Sequence, residues 1–206
     1  MNTQRDEYDY VIVGAGSAGC VLASRLTEDQ SLAVCLLEAG PSDHSIFIRM
    51  PAALTYPIES SVYNWKFESE PEPKLLGRRI GQARGRCLGG SSSINGMVFV
   101  RGNPRDFDSW RTMGIDGWSY QACLPYFKKM ETFENGKDVN RGGSGPLTVT
   151  RSQARHVFYD AFLRAGEQFG LRDAGDYNSG AQHGVHRARI RVHDRGDLGL
   201  RAACRD

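Results

Sequence analysis

The chain opens with a strand, a glycine-rich turn, a helix and a second strand, an order that predicts a parallel βαβ unit. Residues 10–13, YVIV, are a short apolar run that ends at a glycine, and residues 32–37, LAVCLL, are a second run without polar alternation. Unbroken apolar runs are typical of strands covered on both faces in parallel sheets. Between the two runs, apolar residues recur at helical spacing, at Ala18, Val21, Leu22 and Leu26. We therefore expect two parallel strands joined by a right-handed crossover helix.

The turn between the first strand and the helix carries the pattern GxGxxG. Gly14 allows a tight turn, Gly16 lets the backbone approach a pyrophosphate, and Gly19 lets helix and strand pack closely. Phosphate is favoured there because the helix N-terminus presents unpaired N–H groups and a positive dipole end. Glu38 follows the second strand, where it can accept hydrogen bonds from ribose hydroxyls and would repel a 2′-phosphate. The pattern indicates a dinucleotide other than NADP and leaves FAD and NAD open.

A second motif, GRCLGGSSSINGMVFVRGNPRDFD, occupies residues 85–108. Gly89 and Gly90 permit close approach of the backbone to a flat ring. The serines at 91–93 can cap a helix start and donate to phosphate or ring oxygens, and Asn95 offers both a donor and an acceptor. The alternative is a serine-capped helix with a purely structural role.

The second motif resembles the first signature of the glucose-methanol-choline (GMC) flavin oxidoreductases. The string GRCLGGSSSIN is followed by Phe99, Gly102 and Asp108 at that signature's spacings. The resemblance covers about residues 8–185, and MPAAL, YNW and ESEPEP within residues 50–73 are most similar to the branch that oxidises choline. It implies FAD and an α/β, FAD-binding Rossmann-like fold, a doubly wound parallel sheet with wrapping loops and helices. Because only two of the parallel strands are found, we expect that sheet to be incomplete in this chain and the isolated chain to be poorly stable.

The resemblance also implies where FAD is held. The backbone of residues 95–98 is expected along the isoalloxazine ring. Some relatives attach flavin covalently through a histidine whose position is Ile94 here, so we expect noncovalent FAD. The expected cofactor-binding residues are Gly14, Ala15, Gly16, Ser17, Ala18, Gly19, Glu38, Ala39, Leu88, Gly89, Gly90, Ser91, Asn95, Gly96, Met97 and Val98.

The family's reaction implies oxidation of an alcohol CH–OH group, such as that of choline, while flavin takes up the hydride. In the family a histidine near the C-terminus acts as base, and none of His44, His156, His183, His186 and His193 occurs in a matching context. We therefore assign no catalytic residue and interpret the chain as the FAD-binding N-terminal part of such an enzyme. A noncatalytic flavin-binding fragment and an NAD-dependent Rossmann dehydrogenase remain as alternatives. Trp65 is a candidate for recognising a quaternary ammonium group, although we expect it to have a packing role.

Along the chain we predict three regions: an FAD-binding portion at 8–150, the start of a segment that leads to the substrate domain at 151–193, and an atypical tail at 194–206. Prolines predict turns and little helix over 41–84. Helical spacing predicts helices over 104–112 and 119–132 and from Ser152 to Gly170, and LTVT at 147–150 predicts a short strand. Because the resemblance ends near His193, we expect a truncated or shifted reading frame there.

Composition narrows the remaining possibilities. Five cysteines without a CxxC pair argue against a disulfide framework and a zinc site and fit a reducing compartment. The arginines after 183 lie on an alternating pattern without interleaved aromatics, which predicts a half-buried strand and no nucleic-acid binding. We expect no transmembrane segment, no metal site, and a cytoplasmic location that includes the periphery of the inner membrane. The expected partners are a small-molecule alcohol and an electron acceptor such as a quinone.

Overall fold

The structure, a computed structural model, describes residues 7–151, 156–180 and 182–185, together with the backbone of 189–191. The chain divides into two compact units. Among the described residues, unit 1 runs from 7 to 96 and unit 2 begins at residue 97. The His186 and His193 positions and the tail at 194–206 lie outside the described residues. The domain boundaries at 150 and 193 stay a prediction.

Unit 1 begins with the βαβ unit that the sequence predicts. Strand β1 (Tyr10–Val13), helix α1 (Ser17–Leu26) and strand β2 (Val34–Leu37) follow in order. The two strands pair in parallel, with Tyr10 opposite Val34 and Val13 opposite Leu37. β2 begins two residues later than the apolar run at 32–37. The mixed α/β class and the incomplete parallel sheet are as expected.

The remainder of unit 1 wraps around this start in short elements. Helices α2 (Ile46–Arg49) and α3 (Thr55–Glu59) are followed by the two-residue antiparallel strands β3 (Phe67–Glu68) and β4 (Gly81–Gln82). Helix α4 (Ser91–Ile94) ends the unit. The prediction of little helix over 41–84 is correct for 60–84, where the structure has one 3-10 turn at Pro73–Leu75. It is wrong for 46–59, because short helical turns occupy Ile46–Arg49, Pro51–Ala53 and Thr55–Glu59.

The apolar stripes of the βαβ unit are less covered than the sequence predicts. Helix α1 buries Gly19, Cys20 and Ala23, whereas Val21 and Leu22 are about half exposed. Val13 in β1 is 84% exposed. The expectation of strands covered on both faces is therefore wrong for the described residues, because no third strand or second helix layer lies against this pair.

Unit 2 combines three helices with a small mixed sheet. Helix α5 (Pro104–Thr112) has the bounds that the sequence predicts, and α6 (Tyr120–Met130) lies within the predicted 119–132. Strand β5 (Glu131–Phe133) follows α6 directly, and strand β6 (Leu147–Arg151) follows a polar loop. Strand β7 (Arg189–Arg191) pairs with β6, which agrees with the predicted strand in the arginine-rich segment. β5 pairs in parallel with β6 and was not predicted.

Helix α7 (Val157–Gln168) ends before Gly170 as predicted, but its apolar stripe is exposed. Phe158, Phe162 and Phe169 are between 67% and 84% exposed. Residues 152–155, where the sequence predicts the helix to start, lie outside the described residues, and His156 caps its first turn through Nδ1, which accepts from Phe158 N–H at 3.2 Å. Tyr126 of α6 is also exposed. Helical spacing predicted the helices correctly but not how far their apolar sides are buried.

A buried cluster of charges holds the loops of unit 2 together. Glu131 accepts from Arg101 Nη2 at 2.7 Å and from Gly142 N–H at 2.8 Å, and its other oxygen lies 3.3 Å from Arg141 Nη1. The side chains of these three charged residues are at most 1% exposed. Burial lowers the pKa of Arg141 from its ordinary value, and the charges of Glu131 and Asp176 partly offset this effect. One carboxylate thus faces two buried guanidinium groups.

The same cluster joins segments that are far apart in the sequence. Arg101 donates through Nη1 to the carbonyl of Asn140 at 2.6 Å, and its own N–H donates to Asn178 Oδ1 at 2.8 Å. The guanidinium of Arg141 lies 4.0 Å from the centre of the Phe133 ring. Removing the carboxylate would therefore affect the start of unit 2, β5, the polar loop and the turn near residue 178 at once.

We predict that Glu131→Gln destabilises the protein by about 3–5 kcal/mol, because Arg101 loses its carboxylate partner and Arg141 keeps Asp176, 3.6 Å from its Nε, while the side-chain shape is kept. Urea unfolding followed by circular dichroism and tryptophan fluorescence measures the change. Glu167→Gln, on the exposed face of α7, is the matched control and should shift the free energy of unfolding by less than about 0.5 kcal/mol. Equal stability of the two variants would contradict a structural role for the cluster.

No helix among the described residues combines the length and the apolar character needed to cross a bilayer.

Candidate functional site

The two glycine motifs, about seventy residues apart in the sequence, touch each other in unit 1. The N–H of Gly89 donates to the carbonyl of Ala15 at 2.8 Å, and Gly16 and Gly89 form an isolated parallel bridge. A Cβ atom placed on Gly90 would lie 2.9 Å from the Cα of Gly16. A side chain at Gly90 would separate the loops, so this glycine allows direct backbone contact.

The loops border one cleft of about 840 Å³. Its lining comes from the first glycine loop, the end of β2, the aromatic residues before and in β3, and the start of the second motif. These residues are Val13, Gly14, Gly16, Ser17, Ala18, Gly19, Leu37, Glu38, Ala39, Trp65, Phe67, Arg84, Gly85, Gly90 and Ser91. The volume lies in the range of pockets that hold small molecules and cofactors.

The three glycines of the first motif have different structural roles. Gly14 has a φ of 96°, which a side chain disfavours. A Cβ atom on Gly19 would overlap the carbonyl oxygen of Gly14, so Gly19 permits close packing of α1 on the turn. Gly16 has an ordinary φ of −77°, and a Cβ atom there would meet nothing within 4 Å. The missing side chain at Gly16 therefore leaves open space in the cleft.

Helix α1 presents an uncapped N-terminus to this cleft. Gly16 is its N-cap residue, no side chain caps the helix, and its first turn contains no acidic residue. The first N–H groups of an α-helix have no partner within the helix, and the helix dipole places partial positive charge there. This end of the cleft is suited to bind an anion such as a phosphate.

Glu38 supports the first glycine loop as well as lining the cleft. Its Oε2 accepts from the N–H of Ala15 at 2.8 Å, and its Oε1 accepts from the N–H of Gly40 at 2.9 Å. A carboxylate has about four acceptor positions, so each oxygen can accept one more hydrogen bond. The structural contacts therefore leave Glu38 able to bind hydroxyl groups.

The serines of the second motif differ in what they can offer a ligand. Ser92 Oγ donates to the carbonyl of Gly89 at 2.6 Å, and Ser93 Oγ donates to the carbonyl of Leu88 at 2.7 Å. Ser91 Oγ accepts from the N–H of Gly85 at 3.0 Å, which leaves its hydroxyl proton for another acceptor. Ser91 lines the cleft, whereas Ser92 and Ser93 hold the loop backbone.

The other predicted cofactor-binding residues lie in different surroundings. Ala15 is buried with Cys20, and Leu88 packs against them. Asn95 and Gly96 are exposed at the end of unit 1. Met97, with a φ of 58°, and Val98 begin unit 2. Their assignment stays a prediction.

Several cleft residues were not identified from the sequence. Phe67 and Arg84 line the cleft, and Gly40 and Gly85 allow close backbone contacts, Gly40 with Arg86 and Gly85 with Gly90. Gly40 directly follows Glu38 and Ala39, and Gly85 begins the second motif. Their places beside the motifs are the signal that could have identified them.

Cys87 lies behind the second glycine loop, with no exposed surface. Burial raises the pKa of its thiol to about 11, and the charges of Asp43 and Glu38 contribute in the same direction. Its Sγ lies 3.9 Å from the carbonyl of Gly90. Cys87 is therefore a neutral packing residue at ordinary pH and not a nucleophile.

The described histidines lie outside the cleft. His44, His156 and His183 are exposed and belong to separate segments. The described residues also contain no group of three or more potential metal ligands.

We predict that alanine at two glycines of the first motif changes stability by different amounts. Gly19→Ala should destabilise the protein by about 1–3 kcal/mol because its methyl group overlaps backbone. Gly16→Ala should change the free energy of unfolding by less than about 1 kcal/mol, because the methyl group enters open space. Thermal and urea unfolding compare the stabilities of the two variants. A Gly16→Ala variant as unstable as Gly19→Ala would show that the space beside Gly16 is filled and not open.

We also predict that Cys87 makes stability depend on pH in the alkaline range. The pKa of its thiol in the folded protein is raised from the ordinary value of 9.0 to about 11. The unfolded chain therefore loses this proton first, and stability falls as pH rises from about 9 to 11. The difference between the wild-type protein and Cys87→Ala should show this fall, while the difference for Cys123→Ala serves as control. Parallel pH profiles for the wild-type protein and Cys87→Ala would refute the prediction.

Solved structures of other proteins share this fold. The chain aligns with pyridoxine 4-oxidase from Mesorbium loti at a TM-score of 0.89 and 34% identity, over 96% of this chain and 40% of that one. An FAD-dependent oxidoreductase from Chaetomium thermophilum aligns at a TM-score of 0.82 and 29% identity, over 96% of this chain and 37% of that one.

Curated relatives and a family model agree with these structures. Oxygen-dependent choline dehydrogenase of Vibrio vulnificus is 53% identical over 182 residues, which cover 87% of this chain and 32% of the relative. The protein of the same name from Photobacterium profundum is 50% identical, over 98% of this chain and 35% of the relative. The chain thus spans about a third of the length of these relatives. The family model for GMC oxidoreductase matches residues 8–201, and the chain belongs to the GMC oxidoreductase family.

Proposed function

We propose that this chain is the FAD-binding portion of a flavin-dependent alcohol oxidoreductase. The observation that supports the proposal most directly is the contact between the two glycine motifs, which line one cleft with Glu38. An NAD-dependent dehydrogenase requires only the first motif. The second motif gains its place in the cleft from that contact, and solved structures with the same fold include an FAD-dependent oxidoreductase.

The residues of the cleft fit the nucleotide part of FAD. The open space at Gly16 and the uncapped start of α1 would accept the pyrophosphate. The remaining acceptor positions of Glu38 would bind the ribose hydroxyls, and the hydroxyl of Ser91 can donate a further hydrogen bond. When bound, the flavin supplies an acceptor for the hydride that leaves an alcohol.

We propose that FAD is held without a covalent bond. Ile94 occupies the position at which some family members carry the flavin-linking histidine. It is 3% exposed and packs with Ile48 and Cys87. An isoleucine side chain has no nucleophile, so this segment offers the flavin no attachment point at that position.

For the whole protein we propose oxidation of a small alcohol, with choline as the first candidate because curated relatives are named for it. A quinone is the proposed electron acceptor, and the periphery of the inner membrane is the proposed location. No described residue is assigned as the base that accepts the hydroxyl proton. The binding of FAD by this chain is therefore the part of the proposal that the chain can test directly.

We predict that the purified chain binds FAD, quenches flavin fluorescence and gains thermal stability when FAD is added. Gly16→Ala should weaken FAD binding at least about tenfold, because the methyl group occupies the space for the pyrophosphate. Titration of flavin fluorescence measures both affinities. Gly81→Ala is the matched control, because its methyl group also meets nothing within 4 Å and Gly81 does not line the cleft.

The same preparation tests the mode of attachment. Acid precipitation of the FAD-loaded chain should leave all flavin in the supernatant. Flavin retained on the precipitated polypeptide would refute noncovalent binding, and a preparation that binds NAD but not FAD would favour the alternative dehydrogenase.

A further inference from the structure

The cleft has an aromatic wall, Trp65 and Phe67, that none of the glycine, carboxylate or serine contacts explains. Both side chains line the cleft, and they are 44% and 55% exposed. Their ring planes differ by only 2°, and their centroids are 6.0 Å apart. The two rings therefore form a parallel, open π-surface beside a polar cleft, whereas a packing role would bury them.

Backbone and side-chain contacts hold this aromatic wall in place. The N–H of Trp65 donates to the carbonyl of Arg84 at 2.9 Å, and Phe67 pairs with Gln82 across β3 and β4. Buried Asn64 accepts through Oδ1 from the N–H groups of Lys66 and Arg84, both at 3.0 Å.

Lys66, between the two aromatic residues, has a φ of 56°. A left-handed conformation at a residue other than glycine costs free energy and persists only where surrounding contacts impose it. The ribbon that carries the aromatic wall, formed by β3, β4 and the residues beside them, is thus held in this conformation by the protein's own contacts.

A cation is also positioned next to the indole of Trp65. The guanidinium of Arg86 lies 5.5 Å from the centre of the Trp65 ring. Arg86 is held by donation to the carbonyls of Ser61 at 3.1 Å and Val62 at 3.4 Å. This contact restrains the indole and leaves nearly half of its surface exposed.

We propose that Trp65, assisted by Phe67, is the stacking platform for the adenine ring of the dinucleotide. The inference rests on the proposed function and names the cofactor moiety that this wall binds. Adenine is attached to the ribose that Glu38 is proposed to hold, and Glu38 lines the same cleft as the two rings. The packing role expected for Trp65 is the alternative to this assignment. A stacking role requires an exposed ring in the cleft, and Trp65 meets that requirement.

The aromatic wall could instead stack on the isoalloxazine ring. Three ligands distinguish stacking of adenine from stacking of isoalloxazine. FAD contains both ring systems, ADP contains adenine alone, and FMN contains the flavin alone. A platform for adenine therefore affects FAD and ADP but not FMN.

The test titrates the wild-type chain and Trp65→Leu with FAD, ADP and FMN. ADP should quench tryptophan emission of the wild-type chain but not of Trp65→Leu. Trp65→Leu should weaken binding of FAD and ADP about tenfold, since stacking on an aromatic ring contributes substantially to nucleotide affinity. FMN binding should be unchanged.

Two further variants control for folding and for the number of tryptophans. Trp65→Phe keeps an aromatic ring and should retain most of the affinity for FAD. Trp118→Leu removes a tryptophan of similar exposure, 51%, from unit 2 and should alter neither affinity. Circular dichroism and thermal unfolding confirm that each variant is folded.

Each result decides between distinct conclusions. A wild-type chain that does not bind FAD overturns the proposed function and the inference with it. If the wild-type chain and Trp65→Leu bind FAD equally tightly, the inference is overturned but the proposed function is not. Equal losses for FAD and FMN, or a loss confined to FMN, also overturn it, because they indicate a structural role or contact with the flavin ring.

Discussion

The candidate site depends on backbone contact between two glycine-rich loops. The hydrogen bond from Gly89 to Ala15 and the approach of Gly90 to Gly16 place the second motif against the start of α1. Every other feature of the cleft follows from this contact. It brings Ser91 to the same cavity as Glu38, and it brings the ribbon that carries Trp65 alongside, because that ribbon pairs with residues 84 and 85.

A ligand can use only those donors and acceptors that are not already engaged in hydrogen bonds to the backbone of the loop. The hydroxyls of Ser92 and Ser93 donate to the carbonyls of Gly89 and Leu88. Of the three serines, only Ser91 has a hydroxyl proton that can be donated into the cleft. Glu38 shows the same division within one side chain, since it fixes Ala15 and Gly40 and retains acceptor positions. A motif therefore contains both residues that bind and residues that hold the binding residues, and residue type alone does not separate them.

The sequence predicted the βαβ unit and the glycine loops well because their determinants are local. The end of β1 before Gly14 and the close packing of α1 at Gly19 are both indicated by a stretch of about ten residues in the sequence. β5 was not predicted because it follows α6 without a turn residue, and its pairing with β6 and the charges on Glu131 come from distant segments. Burial was the least predictable property. The apolar stripe of α7 has ideal spacing and is exposed, since spacing describes one helix and burial depends on what lies against it.

The two units are stabilised in different ways, and this affects how substitutions can be interpreted. Unit 1 has small apolar clusters and relies on close backbone packing at Gly19 and Gly85, so an added methyl group acts through steric overlap. Unit 2 relies on buried charges around Glu131, so a change of charge at constant shape acts through electrostatics. Gly16 and Trp65 differ from both groups, because a methyl group on Gly16 would enter open space and nearly half of the surface of Trp65 is exposed. We therefore expect substitutions at residues whose environment is open, in an otherwise closely packed loop, to affect ligand binding more than folding.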